Sequence, residues 1–500
     1  MIPLIDSLDT HARARPRALA CVDLESGRRW DYAGLDREVN RAAQWVIVQF
    51  GPASGARIAT LARNSDTLLI AHLACIRAGA IFTPFNWRLA LPEVQELIAD
   101  ADPSLLLHDL EFAVEELPVS RVSIPDFRQA VAAQPLPGST PKPRAADSVS
   151  TLLYTSGTTG KPKGVMVTEA NAFWGSLNFN LGNDVTIRSV FLCDMPMFHT
   201  AGLFAAIRSP LLAGGAVLIS RGFDAPKTLE RLADASLGIT HYFSVPQMAR
   251  ALWLQPNFDS AMLKRLTVYA MGGAPNPAAQ IERFVRDGIP MSDGFGMSET
   301  CSNFGMPFHD PALLLAKAGS CGLPYASLQA RIVDTEGSDV TVGERGELWL
   351  KGPSVTPGYW NKPELTALAF ADGWFKTGDA AMRDADGFYY LIDRKKDMFI
   401  SGGENVYPAE VEGAIGELDA VAEVAVIGVP DARWGEVGRA YIVVRPGHRL
   451  EADAILEHCR SRLAGYKKPA SIIFTDTIPR TSSGKIQKQI LKDRARVELS

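Results

Sequence analysis

The chain has 500 residues, 47% hydrophobic and 21% charged, with 51 Lys plus Arg against 56 Asp plus Glu and a net charge of −5. It is too long for one ordinary core, so two or more globular domains are expected, and its charge balance argues against a nucleic-acid surface. The six cysteines form no C-x-x-C pair and no Cys/His cluster of zinc-like spacing, which reads as buried, reduced thiols.

In chain order, Asp6 and Asp9 with no long apolar core argue against a signal peptide. Residues 18–22 are short and apolar, 35–50 carry helical spacing that stops at Gly51, and 57–62 read as a strand. Ser65 can cap a helix over 66–78, which Gly79 ends. The longest apolar stretches, such as 68–76 with His72 inside it, are too short to span a bilayer, so no integral membrane segment and a cytoplasmic location are expected. Residues 81–85, 92–99 and 105–107 continue the alternation, which implies a doubly wound, mainly parallel sheet of α/β class. Four prolines within 134–147 mark an exposed connection.

Apolar runs at 149–153 and 165–167 flank Y-T-S-G-T-T-G-K-P-K-G at 154–164, read as a flexible loop between two strands. Gly157, Gly160 and Gly164 let backbone N–H groups approach phosphate oxygens, Thr155, Ser156, Thr158 and Thr159 add hydroxyls, and Lys161 and Lys163 add charge. The spacing is not that of a Walker A loop, and Pro162 follows the first lysine and removes a backbone donor. A solvated turn is the alternative, but the ordered, lysine-bearing pattern favours a polyphosphate guest.

A second α/β stretch runs to about residue 322, with strands at 190–193, 216–219 and 267–271. Short strands over 329–391 suggest a small β subdomain. After Arg394 a small α+β unit begins, with a helix near Pro408, strands at 421–429 and 440–444, and a helix over 452–463. Two domains are therefore expected, 1–394 and 395–500.

Further segments are bland when taken singly. His199 in P-M-F-H-T-A-G (196–202) follows a strand, where open α/β sheets carry ligands, yet a lone histidine is more often a core residue. G-G-A-P-N (272–276) and T-G-D (377–379) read as turns, and D-R-K-K-D (393–397) as a solvated charge run. S-G-G-E-N (401–405) offers bare backbone, suited to a thin ligand passing close. D-G-F-G-M-S-E (293–299) and P-R-T-S-S-G-K (479–485) complete the set.

In this order the eight segments resemble the signatures of the adenylate-forming superfamily, which includes acyl-CoA synthetases, peptide-synthetase adenylation domains and firefly-type luciferases. The resemblance covers nearly all of residues 10–495. It implies a large N-terminal domain binding ATP and acid and a small mobile C-terminal domain, with Lys396 as the hinge. In the cofactor site it implies Thr155, Ser156, Gly157, Thr158, Thr159, Gly160 and Lys163 on the phosphates, and Gly273, Ala274, Pro275, Asp293, Gly294, Phe295 and Gly296 around adenine. Ser298 would meet the α-phosphate, Glu299 would hold Mg²⁺, Asp379 the ribose, and Arg394 the nucleotide. Gly402, Gly403 and Glu404 would line a coenzyme A tunnel, and Lys485 would bridge the carboxylate and the α-phosphate. His199, Phe243, Met271, Gly272, Gly294 and Met297 would line the acyl pocket. The catalytic set so implied is Lys485, Glu299, Thr155 and His199. Phe295 and Ser298 stand where the family usually has Tyr and Thr, which keeps the stacking face and the hydroxyl respectively.

The resemblance implies an ATP-dependent acid–coenzyme A ligase: the acid is activated as acyl-AMP with loss of pyrophosphate, then transferred to coenzyme A after domain rotation. F-N-W-R-L (85–89) and I-S-G-G-E-N-V-Y-P-A-E-V-E (400–412) resemble the fatty-acid and aromatic-acid branch, without choosing between the two. ATP, Mg²⁺, coenzyme A and a small carboxylic acid are the expected ligands, and a homodimer is compatible with the reading. Two alternatives stay open: an adenylating enzyme that loads a carrier protein or other acceptor, and a non-catalytic ATP-binding interaction protein.

Overall fold

Ser65 Oγ accepts a hydrogen bond from Leu68 N at 3.3 Å, and Gly79, at φ 73°, closes the helix Asp66–Ala78 in the left-handed conformation its lack of a Cβ permits. Nearly every residue of this helix is buried, and its core merges side chains from two sheets, so it is an internal layer rather than a surface helix. The computed structural model describes residues 6–499 apart from 138–144, 157–161, 274–275, 395–396, 402–403, 432–433, 461, 464 and 482–484.

The first of the two sheets has six strands, in the order Arg121–Ser123, Leu105–His108, Arg57–Leu61, Ile81–Pro84, Val149–Ser156 and Pro162–Thr168. All neighbours pair in parallel except the last, an antiparallel pair. The second has nine strands, parallel across its middle from Leu19–Asp23 through Ala216–Ile219, Val190–Cys193, His241–Ser244 and Val268–Met271 to Met291–Met297, and antiparallel at both ends. This is the expected α/β architecture. The small β subdomain is a five-stranded antiparallel sheet spanning 329–394.

Residues 399–499 form a separate α+β unit. Strands Phe399–Ser401, Glu404–Val406, Val421–Asp431, Gly435–Val444 and Pro469–Phe474 pack with helices Pro408–Gly416, Ala452–Arg460 and Lys488–Leu499. Val411, Ile415, Val426, Ile442 and Ile455 make its own core. All six cysteines are free and buried. Among the described residues, no helix is long and apolar enough to cross a membrane.

The structure departs from the expected elements in several places, among them the strand expected at 440–444, which begins at Gly435. The strand entering the loop at 154–164 runs on through Tyr154, Thr155 and Ser156, and the return strand starts at Pro162, so Thr155 pairs with Lys163 across a hairpin. Consecutive aromatic and β-branched residues extend the pleat, and a proline is tolerated as first residue of an edge strand. The helix after Ala452 ends at Arg460, short of the expected 463.

Candidate active site

Val149–Ser156 and Pro162–Thr168 fix the flanks of the loop at 154–164. The Thr155 Oγ1 is buried and finds no partner among the described residues, a cost of about 1–3 kcal/mol that a ligand acceptor would offset. Lys163 Nζ donates to the Tyr359 hydroxyl at 2.9 Å and lies 3.2 Å from Glu299 Oε1, and the same hydroxyl donates to Glu299 Oε1 at 3.0 Å. Glu299 sits in the turn between Met291–Met297 and Cys301–Gly305, which Cys301 closes at φ 56°, a left-handed conformation that costs a non-glycine residue about 1–3 kcal/mol. Its carboxylate is 6% exposed.

Glu299 is thus a hard-oxygen group already paired with a cation. Among the described residues no cluster of three or more His, Cys, Asp or Glu could hold a metal by itself. That donor set fits a magnesium ion carried on a polyphosphate, which takes one or two carboxylate oxygens and draws its other ligands from phosphate and water.

The residues expected on the nucleotide side come from two sheets. Phe295 packs on Phe304 with ring centroids 6.0 Å apart, and Phe304 on Tyr389 at 5.0 Å. Asp379 lies on Trp374–Arg383, not in a free turn; its N–H donates to Thr377 Oγ1 at 3.0 Å, and by register it faces Arg394. The buried Cys321 thiol is pushed up first by burial, and also by the charges of Asp293 and Asp379, which both lie close enough to act on it. Gly273 has a left-handed φ of 82°, and a Cβ on Gly296 would meet Cys301 O at 2.3 Å.

Burial pushes the Asp293 carboxyl up to about 8, against weaker downward pulls from Gly294 N–H and the Asn276 side chain. The unfolded chain ionises it near the ordinary 3.8, so between about pH 4 and about pH 8 the folded protein keeps a proton the unfolded chain has lost, and stability falls as pH rises through that window. Asp293→Asn removes this loss. Its melting temperature relative to the parent rises between about pH 5 and about pH 8, by roughly 2 °C or more; a difference that is flat with pH contradicts the buried protonated acid.

The expected acyl wall begins at His199. Asn64 clasps the loop before it, its Nδ2 donating to Met195 O at 2.8 Å and its Oδ1 accepting from Met197 N at 2.9 Å. Immediately after His199 the chain enters a π-helix, Ala201–Arg208, a rare form found mostly at functional sites. A Cβ at Gly202 would lie 2.1 Å from Pro196 O, so only glycine lets the helix start this close to the loop. The His199 Nε2 is buried and has no partner among the described residues. Burial first, then the charges of Lys485 and Arg88, hold its pKa down to about 3. The ring is therefore neutral at working pH. The adenylation rate should show no His199 limb between about pH 5 and about pH 8, and His199→Asn should keep the parent's profile shape; a limb lost on that substitution contradicts the assignment.

Thr200 Oγ1 donates to Ser298 Oγ at 3.5 Å, which joins this loop to the turn carrying Glu299. Phe243 and Met271 stand on adjacent parallel strands in one core cluster, and Met271 pairs with Asp293. Gly272 and Gly294 adjoin them, but a Cβ on Gly294 would strike Phe304 O at 2.6 Å and one on Gly272 would come within 3.0 Å of Gly294 O. Close strand approach already accounts for both glycines. Met297 is half-buried at the strand end.

From the C-terminal unit, Lys485 N–H donates to Thr481 Oγ1 at 3.1 Å and Lys485 O accepts from Thr481 N at 2.7 Å. The two units also meet through Arg345 and Glu410, 3.6 Å apart. Gly157, Thr158, Thr159, Gly160, Lys161, Ala274, Pro275, Lys396, Gly402 and Gly403 lie outside the described residues, as do the side chains of Ser156, Arg394 and Glu404. Sequence reading missed Tyr359: a lone tyrosine in G-Y-W-N carries no signal until Lys163 and Glu299 are seen on its hydroxyl.

Comparison with known proteins places the chain among relatives of similar sequence and fold. The model of the AMP-binding enzyme family matches residues 8–360, and that of the AMP-binding enzyme C-terminal domain matches 410–485. The chain is 40% identical to a feruloyl-CoA synthase from Amycolatopsis sp, over 97% of both chains. It is 35% identical to an indoleacetate–CoA ligase from Aromatoleum aromaticum, over 97% of this chain and 96% of the other. Among solved structures it is similar to the o-succinylbenzoate CoA synthetase MenE from Bacillus subtilis. With the acyl-adenylate intermediate OSB-AMP bound, the TM-score is 0.89 at 30% identity over 99% of both chains. With ATP and magnesium ion bound it is 0.87 at 30% identity, over 98% of this chain and 100% of the other.

Proposed function

The chain belongs to the AMP-binding enzyme family, and from that premise we infer an ATP-dependent acid–coenzyme A ligase that works through an acyl-adenylate and takes an aryl-substituted acid. The observation that carries the adenylation step is that the charge of Lys485, from the small C-terminal unit, reaches the buried ring of His199 in the expected acyl wall. The aryl preference rests on the feruloyl and indoleacetate relatives. A wall containing Phe243, with Phe179 at 6.2 Å, suits a flat guest.

A carboxylate is a poor electrophile because its charge is delocalised and its leaving group would be oxide. In the first step its oxygen attacks the α-phosphorus of ATP and pyrophosphate leaves; the work asked of the protein is positioning and charge neutralisation. Lys163 and Thr155 hold the outgoing phosphates, and Lys485 brings acid and α-phosphate together. Bound through Glu299, magnesium would neutralise developing phosphate charge. Neutral His199 bounds the acid without titrating.

In the second step the coenzyme A thiol attacks the acyl carbon and AMP departs. Lys485 would stand where the thiol must enter, so the 395–500 unit turns about Lys396 and brings Gly402, Gly403 and Glu404 to line the thiol's path, leaving the N-terminal unit to meet the charge on the departing phosphate. Asp379 and Phe295 keep the adenosine half in place through both steps. The cytoplasm, where ATP and coenzyme A meet, is the compartment this reading requires.

The test is a panel of phenylpropenoic, arylacetic, medium-chain and long-chain acids, each with ATP, Mg²⁺ and coenzyme A, with thioesters detected by mass. Aryl acids should give the highest kcat/KM. A preference for alkyl acids would overturn the acid class, and no thioester from any acid would overturn the ligase.

A further inference from the structure

Residues 356–362 belong to none of the sheets; they lie as a strap along the return strand of the phosphate-loop hairpin. Met166 N donates to Gly358 O at 3.0 Å, and Trp360 N donates to Gly164 O at 2.8 Å. Thr356 Oγ1 donates to Met166 O at 2.6 Å, and Val165 and Tyr359 form an isolated antiparallel bridge. At its start the strap is tied to the other half of the site, because Thr356 N donates to Glu299 O at 2.7 Å. Its far end is pinned where the Lys362 ammonium pairs with Asp100, which also accepts from the Tyr154 hydroxyl at 2.8 Å. One short segment therefore spaces the two elements that must meet across a bound nucleotide.

Tyr359, 5% exposed, is the point of contact. Lys163 Nζ lies 4.2 Å from its ring centroid and donates to its hydroxyl. An ammonium only donates, so the single phenol proton is committed to Glu299 Oε1. The phenol bonds Oε1 and not Oε2, and Oε1 is also the oxygen that lies 3.2 Å from Lys163 Nζ. The carboxylate is thereby held in one orientation with one oxygen engaged, and Lys163 stands in as its cation.

We propose that Tyr359 is a positioning residue that presets Glu299 to receive magnesium carried by the nucleotide, presenting Oε2 and lending Lys163 as a resident cation until the phosphates draw Lys163 away. The inference rests on the reading of Glu299 in the proposed function. It follows from the general behaviour of hydrogen-bonding partners behind a ligand, whose removal costs about 10- to 100-fold in metal affinity.

The test is a Mn²⁺ titration followed by electron paramagnetic resonance, with the full chain saturated with α,β-methylene-ATP. Tyr359→Phe keeps the ring and loses the proton; its Mn²⁺ dissociation constant should rise about tenfold, while thioester formation from supplied acyl-adenylate is unchanged. Thr366→Val serves as the control for a merely structural role. It removes the 2.9 Å bond from Tyr359 N to Thr366 Oγ1 but keeps the phenol, and its Mn²⁺ affinity should match the parent's. An unchanged constant in Tyr359→Phe, or an equal rise in both variants, overturns the inference. A parent that shows no added Mn²⁺ affinity over the free analogue would instead overturn the role of Glu299 and with it the underlying reading.

Discussion

Lys485→Ala is expected to lose the first half-reaction by about 10²- to 10³-fold in kcat and to keep the second. The lysine is held in a short return with Thr481, and its charge reaches His199 across the boundary between the two units. The proposed role puts its ammonium where the carboxylate would meet the α-phosphate, in a step where charge moves onto phosphate oxygens. On the proposed reading the small unit has turned Lys485 away by the time the thiol displaces AMP, so the charge that develops on the departing phosphate is met by other groups. Pyrophosphate release with acid and ATP measures the first step; single-turnover thioester formation from synthetic acyl-adenylate and coenzyme A measures the second. Equal loss in both assays would refute an alternating small domain, and little loss in either would remove Lys485 from the chemistry.

The second large effect is expected at Glu299. Glu299→Gln keeps the shape and an acceptor for the Tyr359 phenol, but it removes the charge that pairs with Lys163 at 3.2 Å. Adenylation should fall by about 10² or more, and the Mg²⁺ concentration for half-maximal rate should rise, because one anionic oxygen is lost from the ligand set. Thioester formation from supplied acyl-adenylate should stay within about twofold of the parent, since pyrophosphate and its metal have then left. A fall in adenylation with an unaltered Mg²⁺ requirement would assign Glu299 to Lys163 and not to the metal.

Much of this fold was legible because local chemistry and global architecture agree. Ser65 and Gly79 punctuate the buried helix as their side chains require, and the alternation of short apolar runs with helical spacing becomes two parallel-centred sheets. The order of the motif segments carried the expected site, and the family match bears out the class of enzyme. Contacts made across long stretches of chain were not legible. Tyr359 acts on Lys163 and Glu299, respectively 196 and 60 residues away, and neither spacing leaves a trace in the sequence. The π-helix at Ala201–Arg208 has the composition of an ordinary buried helix, and the close approach of Gly202 to Pro196 is a contact between separate parts of the loop. The depth of Asp293, which decides its protonation, likewise depends on strands packed on both sides.

The account stands or falls on two ordered half-reactions in one chain. The most direct measurement is a rapid-quench single turnover with ATP, Mg²⁺ and an aryl acid, with coenzyme A withheld and then added. The predicted result is a burst of pyrophosphate and acyl-adenylate, about one equivalent per chain, before coenzyme A, followed by loss of the adenylate as AMP and thioester appear together. Pyrophosphate that appears only after coenzyme A is added, or ADP and an acyl phosphate in place of AMP and an adenylate, would contradict it.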